Sequence, residues 1–115
     1  MKIGSVRDIL GARLLCGEQY LEDEILSVCG SDLMSDVLAF VKEQSLLLTG
    51  LVNPQVVRTA EMMDMKCIVF VRGKEPDASI LELAENHGIA VLSCPLRMFT
   101  ACGRLYVGGL KGEDA

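Results

Sequence analysis

The sequence predicts an α/β fold: a single three-layer domain with a mostly parallel sheet of about five strands and flanking helices. The chain has 115 residues, half of them apolar, and a chain of this size buries about two-thirds of its unfolded surface, enough for one core. Three short continuous apolar runs, at residues 46–48, 67–71 and 89–92, are typical of strands covered on both faces of a parallel sheet. Segments with helical periodicity separate these runs, so we expect right-handed helical crossovers.

The N-terminal part is predicted to hold a short helix and two strands. Residues 5–8 have the serine and carboxylate spacing of a capping box, and Gly11 can end the helix. Two short apolar runs, at residues 13–16 and 25–29, flank an acidic segment at residues 18–24. This pattern is typical of two strands with a solvated connection. We expect the two strands to pair as a small antiparallel flap.

The next element is a helix that Ser31 or Asp32 can cap. Its apolar residues recur with the helical period of about 3.6 and so share one face. They are Leu33, Met34, Val37, Leu38 and Val41. The pair Lys42 and Glu43 is expected to close the helix.

Each of the three later helices has a proline near its predicted start. Asn53 before Pro54 combines a cap residue with a proline at the first helical position. Residues 75–76 and 94–95 repeat this pattern, called the proline entry below, in which a proline begins the helix. The predicted helical faces are Val56, Val57, Ala60 and Met63; then Ile80, Leu83, Ala84 and His87; and last Phe99, Cys102 and Tyr106. Residues from about 111 onward are expected to form a frayed polar tail.

Composition and charge exclude several classes of function. The chain has 16 acidic and 11 basic residues, a net charge of −5, three Phe, two Tyr and no Trp. Single-stranded nucleic-acid platforms need aromatic rings in a positive groove, so we expect no nucleic-acid partner. There is no apolar run of a signal peptide or of a membrane span, which predicts a cytoplasmic protein with no membrane partner. Five cysteines, an odd number at irregular spacing, indicate reduced thiols.

No motif in the sequence indicates catalysis. There is no phosphate-binding loop, no G-x-S-x-G elbow and no H-E-x-x-H pair. The single histidine, His87, is expected at a helix end, where it caps carbonyl groups. We therefore predict a non-catalytic protein without cofactor or metal. A redox or metal site at Cys29, Cys94 and Cys102 stays open as an alternative, against the simpler role of packing.

The carboxyl ends of the predicted parallel strands form a candidate ligand site, called the rim below. Open α/β sheets bind ligands outside these ends, where helix N-termini present free N–H groups. The candidate residues are Thr49, Gly50, Asn53, Arg72, Gly73, Lys74 and Ser93. Arg72 is expected to be the main contact for a phosphate or carboxylate, with Lys74 as helper, unless Glu75 neutralises them. In the alternative interpretation the glycines shape turns, Asn53 caps a helix and both basic side chains are solvated.

Four segments carry a resemblance to a known family. They are SLLLTGLVNPQVVRTAEM at residues 45–62, CIVFVRGKEP at 67–76, ELAENHGIAVL at 82–92 and CGRLY at 102–106. These segments resemble the DRTGG domain family, specifically its small stand-alone members beside iron-only hydrogenase genes in anaerobic bacteria. Residues 9–40 are similar to that family with weaker motifs. The resemblance therefore covers nearly the whole chain and implies one DRTGG-like domain over residues 1–115.

The resemblance implies a regulatory domain without an established reaction or ligand. DRTGG domains occur in phosphotransacetylases and, next to CBS domains, in family II pyrophosphatases. Their fold is similar to the non-catalytic N-terminal domain of the kinase/phosphorylase of the histidine-containing phosphocarrier protein. The sequence departs from the name motif, because residues 51–53 read LVN where a DR pair would follow Thr49 and Gly50, and residues 71–73 read VRG in place of TGG.

Three functions are compatible with these observations. The first is a non-catalytic regulatory or protein-interaction domain, linked by the resemblance to anaerobic redox and hydrogenase metabolism, with a hydrogenase-associated protein as a partner. A homodimer is expected, because so short a chain cannot hide all of its apolar residues. The second is a sensor that binds a nucleotide or other small anion at the rim. The third is a cysteine-based metal or redox protein.

Overall fold

The computed structural model describes residues 1–40 and 44–111 as one sheet with helices on both faces. The strands are β1 (Arg13–Cys16), β2 (Ser27–Gly30), β3 (Ser45–Thr49), β4 (Cys67–Phe70) and β5 (Ala90–Ser93). The helices are α1 (Ile3–Leu10), α2 (Met34–Phe40), α3 (Pro54–Met62), α4 (Ala78–Asn86) and α5 (Met98–Val107), with a short 3-10 helix at Glu18–Tyr20. The strand order is β1-β5-β4-β3-β2, with β1 antiparallel to β5 and the other neighbours parallel. The predicted α/β class is confirmed.

The three layers follow from the side chains of the central strands. Cys67 and Val69 of β4 pack with residues of α1 and α5, whereas Ile68 and Phe70 pack with residues of α2, α3 and α4. Both faces of the sheet therefore need apolar side chains. This is why β3, β4 and β5 are buried along their whole lengths and appear in the sequence as continuous apolar runs.

The expected flap of β1 and β2 is wrong, because the two strands lie at opposite edges of the sheet. The segment between them packs along the start of α1, where the N–H of Gly4 donates to Leu21 O at 2.9 Å and the N–H of Ile25 donates to Met1 O at 2.6 Å. These hydrogen bonds hold residues 21–25 against the start of α1, between the two edge strands. As a result β2 can run parallel to β3 while β1 closes the far edge beside β5.

Of the helix starts predicted for α1, α3, α4 and α5, only that of α3 is correct. Asn53 caps α3, and its side chain accepts from the N–H of Val56 at 3.2 Å. The capping box at residues 5–8 is wrong, because α1 begins at Ile3 and backbone carbonyls of residues 21 and 23 bind the N–H groups of its first turn. The proline entry of α4 is also wrong, since Asp77 is the cap and accepts from the N–H of Ile80 at 3.0 Å.

The last helix was also misplaced: α5 begins only at Met98, with Arg97 as N-cap, rather than at the proline entry. Its buried residues are Ala101 and Leu105. Two residues of the predicted face, Phe99 and Tyr106, are instead exposed. A sequence pattern gives the period of a helix, but only packing decides which of its apolar stripes meets the sheet.

Some predictions concern α2 and the ends of the described ranges. Val37 is buried, whereas Leu33 and Leu38 of the predicted stripe are exposed. The predicted helix end at residues 41–43 and the tail at residues 112–115 lie outside the described residues. In the described ranges no helix is long and apolar enough to cross a membrane.

Candidate ligand site at the strand ends

Four parallel strands end at the same edge of the sheet and bring the rim residues together. The predicted neighbourhood of β3 and β4 is confirmed, since Thr49 pairs with Phe70 and the N–H of Val71 donates to Thr49 O at 3.0 Å. The antiparallel β1 begins at this edge, because Arg13 pairs with Ser93 at the end of β5. The rim therefore collects the residues after β2, β3, β4 and β5 and the first residue of β1.

Asp32, which follows β2, is fixed to the end of β3. Its Oδ1 accepts from the N–H of Gly50 at 2.6 Å and from Oγ1 of Thr49 at 3.0 Å. The Gly50 N–H bond is the main cause that lowers the pKa of the Asp32 carboxyl, and the Thr49 hydroxyl and the charges of Arg72 and Lys74 act in the same direction. Asp32 is thus an ionised part of the rim rather than the cap of α2.

Arg72 follows β4 and lies over Gly50. Its backbone has a left-handed φ of 61°, held by a hydrogen bond from its N–H to Leu96 O at 2.7 Å. Its Nη2 lies 4.0 Å from Oδ2 of Asp32, and the side chain is 46% exposed. Among the described residues no acceptor forms a hydrogen bond with the guanidinium. The group is therefore positioned by the fold and keeps donors directed to solvent.

The other predicted rim residues hold the loop after β4 in place. The N–H of Gly73, at a φ of 68°, donates to Cys94 O at 2.8 Å. Ser93 is buried, and its Oγ donates to Lys74 O at 2.9 Å. Thr49 Oγ1 also accepts from the N–H of Leu51 at 3.1 Å. Together with the capping role of Asn53, these contacts leave Arg72 and Lys74 as the exposed side chains for a ligand.

Two charged residues outside the seven candidate residues, Arg13 and Asp32, decide the electrostatics of the rim. Glu75 forms an ion pair with Arg13. It therefore does not neutralise Arg72 or Lys74, which the sequence had left open as a possibility. Asp32 lies beside Arg72 instead. The position of Asp32 directly after β2 was a usable signal, whereas Arg13 joins the rim only because β1 is antiparallel. The rim carries three positive and two negative side chains in a chain whose net charge is −5.

The cysteines show no arrangement for a metal ion. In residues 1–40 and 44–111, which include all five cysteines, no group of three or more His, Cys, Asp or Glu residues could hold a metal. Cys94 Sγ is buried and accepts from the N–H of Leu96 at 3.4 Å. Cys102 Sγ instead lies beside Gly30 of the edge strand β2, whereas Cys94 follows β5. These contacts fit packing.

The fold and the rim define a small α/β domain with a doubly covered, mostly parallel sheet and a polar cluster at its strand ends. The sequence matches the DRTGG domain over residues 5–106, and the chain therefore belongs to the DRTGG domain family. This confirms the DRTGG family membership that the resemblance implied.

A solved structure shows the same fold. It is the regulatory region of Clostridium perfringens pyrophosphatase, with CBS and DRTGG domains, complexed with its activator diadenosine tetraphosphate. The TM-score is 0.71 at 18% identity, over 90% of this chain and 45% of that one. The present chain thus spans less than half of the two-domain region. No curated protein matches the sequence.

Proposed function

We propose that this chain is a non-catalytic regulatory domain that binds a small anion, a phosphate or carboxylate group, at the rim. Membership of the DRTGG family supports the regulatory role. The observation that carries the anion site is the guanidinium of Arg72, which lies over Gly50 without a hydrogen-bond acceptor among the described residues.

The geometry favours an anion for three reasons. The guanidinium presents a planar set of donors that can bind two oxygens at once. Lys74 is exposed beside it, and Glu75 is occupied by Arg13. Gly50 has no side chain, so the guanidinium of Arg72 can lie close over its backbone at the rim. Asp32 limits the charge of the ligand that the site tolerates, because its carboxylate lies 4.0 Å from Arg72.

The proposal includes no turnover. The sequence lacks a loop to hold the β- and γ-phosphates of a nucleotide with magnesium. Purified protein is therefore expected neither to hydrolyse ATP nor to phosphorylate serine. Turnover that co-purifies with the protein and disappears in Lys74→Ala would contradict this part of the proposal.

The test is a thermal-shift screen followed by titration calorimetry. The screen contains inorganic phosphate, citrate and adenine nucleotides; diadenosine tetraphosphate is included because it activates the pyrophosphatase. A ligand that binds only the folded state raises the melting temperature. Arg72→Ala should weaken the binding of a hit by about 1.5–3 kcal/mol, the usual loss of hydrogen bonds to a charged group.

The matched control is Arg58→Ala, which removes an exposed arginine of α3 that forms no ion pair with the described residues. It should bind the same hit as tightly as wild type. Equal affinities of wild type and Arg72→Ala, or a screen without any hit, would overturn the anion site.

A second candidate function is protein interaction. Among the described residues, exposed large apolar side chains include Leu33 directly before α2, Leu38 within α2, and Phe99 and Val107 of α5. We propose a homodimer and, from the resemblance, a hydrogenase-associated partner in the cytoplasm. Sedimentation at micromolar concentration should give twice the monomer mass, and a monomer would contradict self-association. Leu38→Ser and Phe99→Ser, compared in the same experiment, identify the helix involved.

A further inference from the structure

An open apolar groove of about 460 Å³ lies between α1 and α5 on the outer surface of the domain. Its floor is Gly103, where an added Cβ would meet no atom within 4 Å. Phe99 and Val107 stand one turn before and one turn after this glycine and are each 89% exposed. Ile9 of α1 lines the groove opposite α5. The groove is therefore a shallow, open apolar depression flanked by two residues that a lone domain leaves in water.

The α5 side of this groove is positive, while the α1 side adds the ion pair of Arg7 and Asp8 beside Ile9. Residues 94–111 hold three basic residues and no acidic one, whereas the rest of the chain holds eight basic and sixteen acidic residues. Arg104 lines the groove and Arg97 precedes α5. Neither forms an ion pair with another described residue. Their charges are therefore open to a partner.

We propose that the groove binds an acidic amphipathic segment of another protein. An apolar side chain of the partner sits over Gly103 between Phe99 and Val107, and its carboxylates pair with Arg104 and Arg97. This inference deepens the interaction function by naming the chemistry of the partner, and it does not depend on the anion site at the rim.

The charges argue against the two other occupants. A two-fold dimer uses the same patch of both copies, so it would bring two copies of Arg97 and Arg104 into one interface at an electrostatic cost. Insertion into a membrane needs a continuous apolar face, whereas α5 offers a recess at Gly103. Charge complementarity therefore favours an acidic protein segment.

The test is a titration of the full chain with a peptide, monitored by amide NMR spectra. The probe is a synthetic amphipathic helical peptide with leucines on one face and glutamates elsewhere, and its matched counterpart has lysines in place of the glutamates. We expect shifts confined to Ile9 and residues 97–108 with the glutamate peptide, weakened by salt. The lysine peptide should bind at least about tenfold more weakly, because like charges oppose it.

Two variants and a control locate the binding site. Gly103→Leu fills the groove and Arg104→Glu reverses its charge, and each should lower the affinity at least about tenfold. Arg58→Glu, on α3 across the sheet, should bind as wild type does. The amide spectrum of each variant reports whether it is folded.

Three results would overturn the proposal. The first is equal binding of the two peptides, or binding of neither. The second is tighter binding to phosphatidylglycerol vesicles than to the glutamate peptide, which would assign the groove to a lipid surface. The third is a dimer of the free protein that Gly103→Leu dissociates, which would assign it to a second copy. None of these results involves Arg72, so failure here is distinguishable from failure of the anion site.

Discussion

Arg72 covers Gly50 so closely that no side chain fits between them. A Cβ at Gly50 would lie 2.2 Å from Nη2 and 2.8 Å from Cζ of Arg72. The absence of a side chain after β3 thus decides where the guanidinium after β4 can lie. This contact links the ends of the neighbouring strands β3 and β4. A substitution at Gly50 therefore tests the arrangement of the rim most directly.

Gly50→Ala should displace the guanidinium of Arg72 without unfolding the protein. The clashing atoms are the far end of a flexible side chain that is 46% exposed, so the free energy of unfolding should change by less than about 1 kcal/mol. Calorimetric affinity for the anion that wild type binds should fall as it does in Arg72→Ala. Wild-type affinity in Gly50→Ala would show that this position of the guanidinium is irrelevant to binding.

Arg72→Gly should be more stable than Arg72→Ala. Both variants lose the guanidinium, but only glycine adopts the left-handed φ of 61° without a steric penalty. The expected difference in the free energy of unfolding is about 1–2 kcal/mol, measured by urea denaturation. Equal stabilities would mean that the turn relaxes once the side chain is removed.

Asp32 should make stability depend on acidic pH. Its pKa is lowered in the folded protein, chiefly by the N–H of Gly50. A lowered pKa stabilises the fold above the unfolded value of about 3.9, and this contribution is lost as pH falls through the lower folded pKa. Urea denaturation between about pH 5 and pH 2.5 should therefore show a smaller loss of stability in Asp32→Asn than in wild type. If stability fell with pH equally in wild type and Asp32→Asn, the stabilising effect assigned to the Asp32 carboxylate would be wrong.

The central part of the fold could be predicted from the sequence because local signals and packing agree there. β3, β4 and β5 are buried on both faces, so their residues are apolar except at strand ends such as Ser45, Thr49 and Ser93, and the run is visible in the sequence. The edge strands β1 and β2 are as long as β4 and β5, but they are only partly buried. Their partners depend on contacts with α1 that lie some twenty residues away in the chain, which no local pattern contains.

The rim was predictable to the same extent. Arg72 and Lys74 follow a recognisable buried strand, so their position at its carboxyl end could be inferred. Arg13 could not be placed, because its position depends on the antiparallel direction of β1. Asp32 has two possible partners, a helix N-terminus and the Gly50 N–H, and only the structure distinguishes them.

The buried thiols should resist alkylation until the protein unfolds. Burial raises the pKa of the Cys67 and Cys94 thiols, and the thiolate is the reactive form. Mass spectrometry after iodoacetamide treatment at neutral pH should find both unmodified in native protein and modified in urea. The unfolded thiols ionise above about pH 8.5 while the folded ones remain protonated, so the free energy of unfolding should fall as pH rises above that value. Rapid modification of Cys67 in native protein would contradict its burial.

Two glycine-to-alanine changes should have opposite effects on stability. Gly17 follows β1 at a φ of 91°, and a Cβ there would lie 2.6 Å from the backbone Cα of Ala90 in β5. Because backbone cannot move aside as a side chain can, Gly17→Ala should cost about 2–5 kcal/mol from the left-handed conformation and the overlap together. Gly103 is inside α5 with open space at its Cβ position, so Gly103→Ala should stabilise the protein by about 0.5–1 kcal/mol through helix propensity. Urea denaturation followed by circular dichroism measures both. A mild effect of Gly17→Ala would mean that β1 can shift away from β5, and the antiparallel edge that brings Arg13 to the rim would then be wrong.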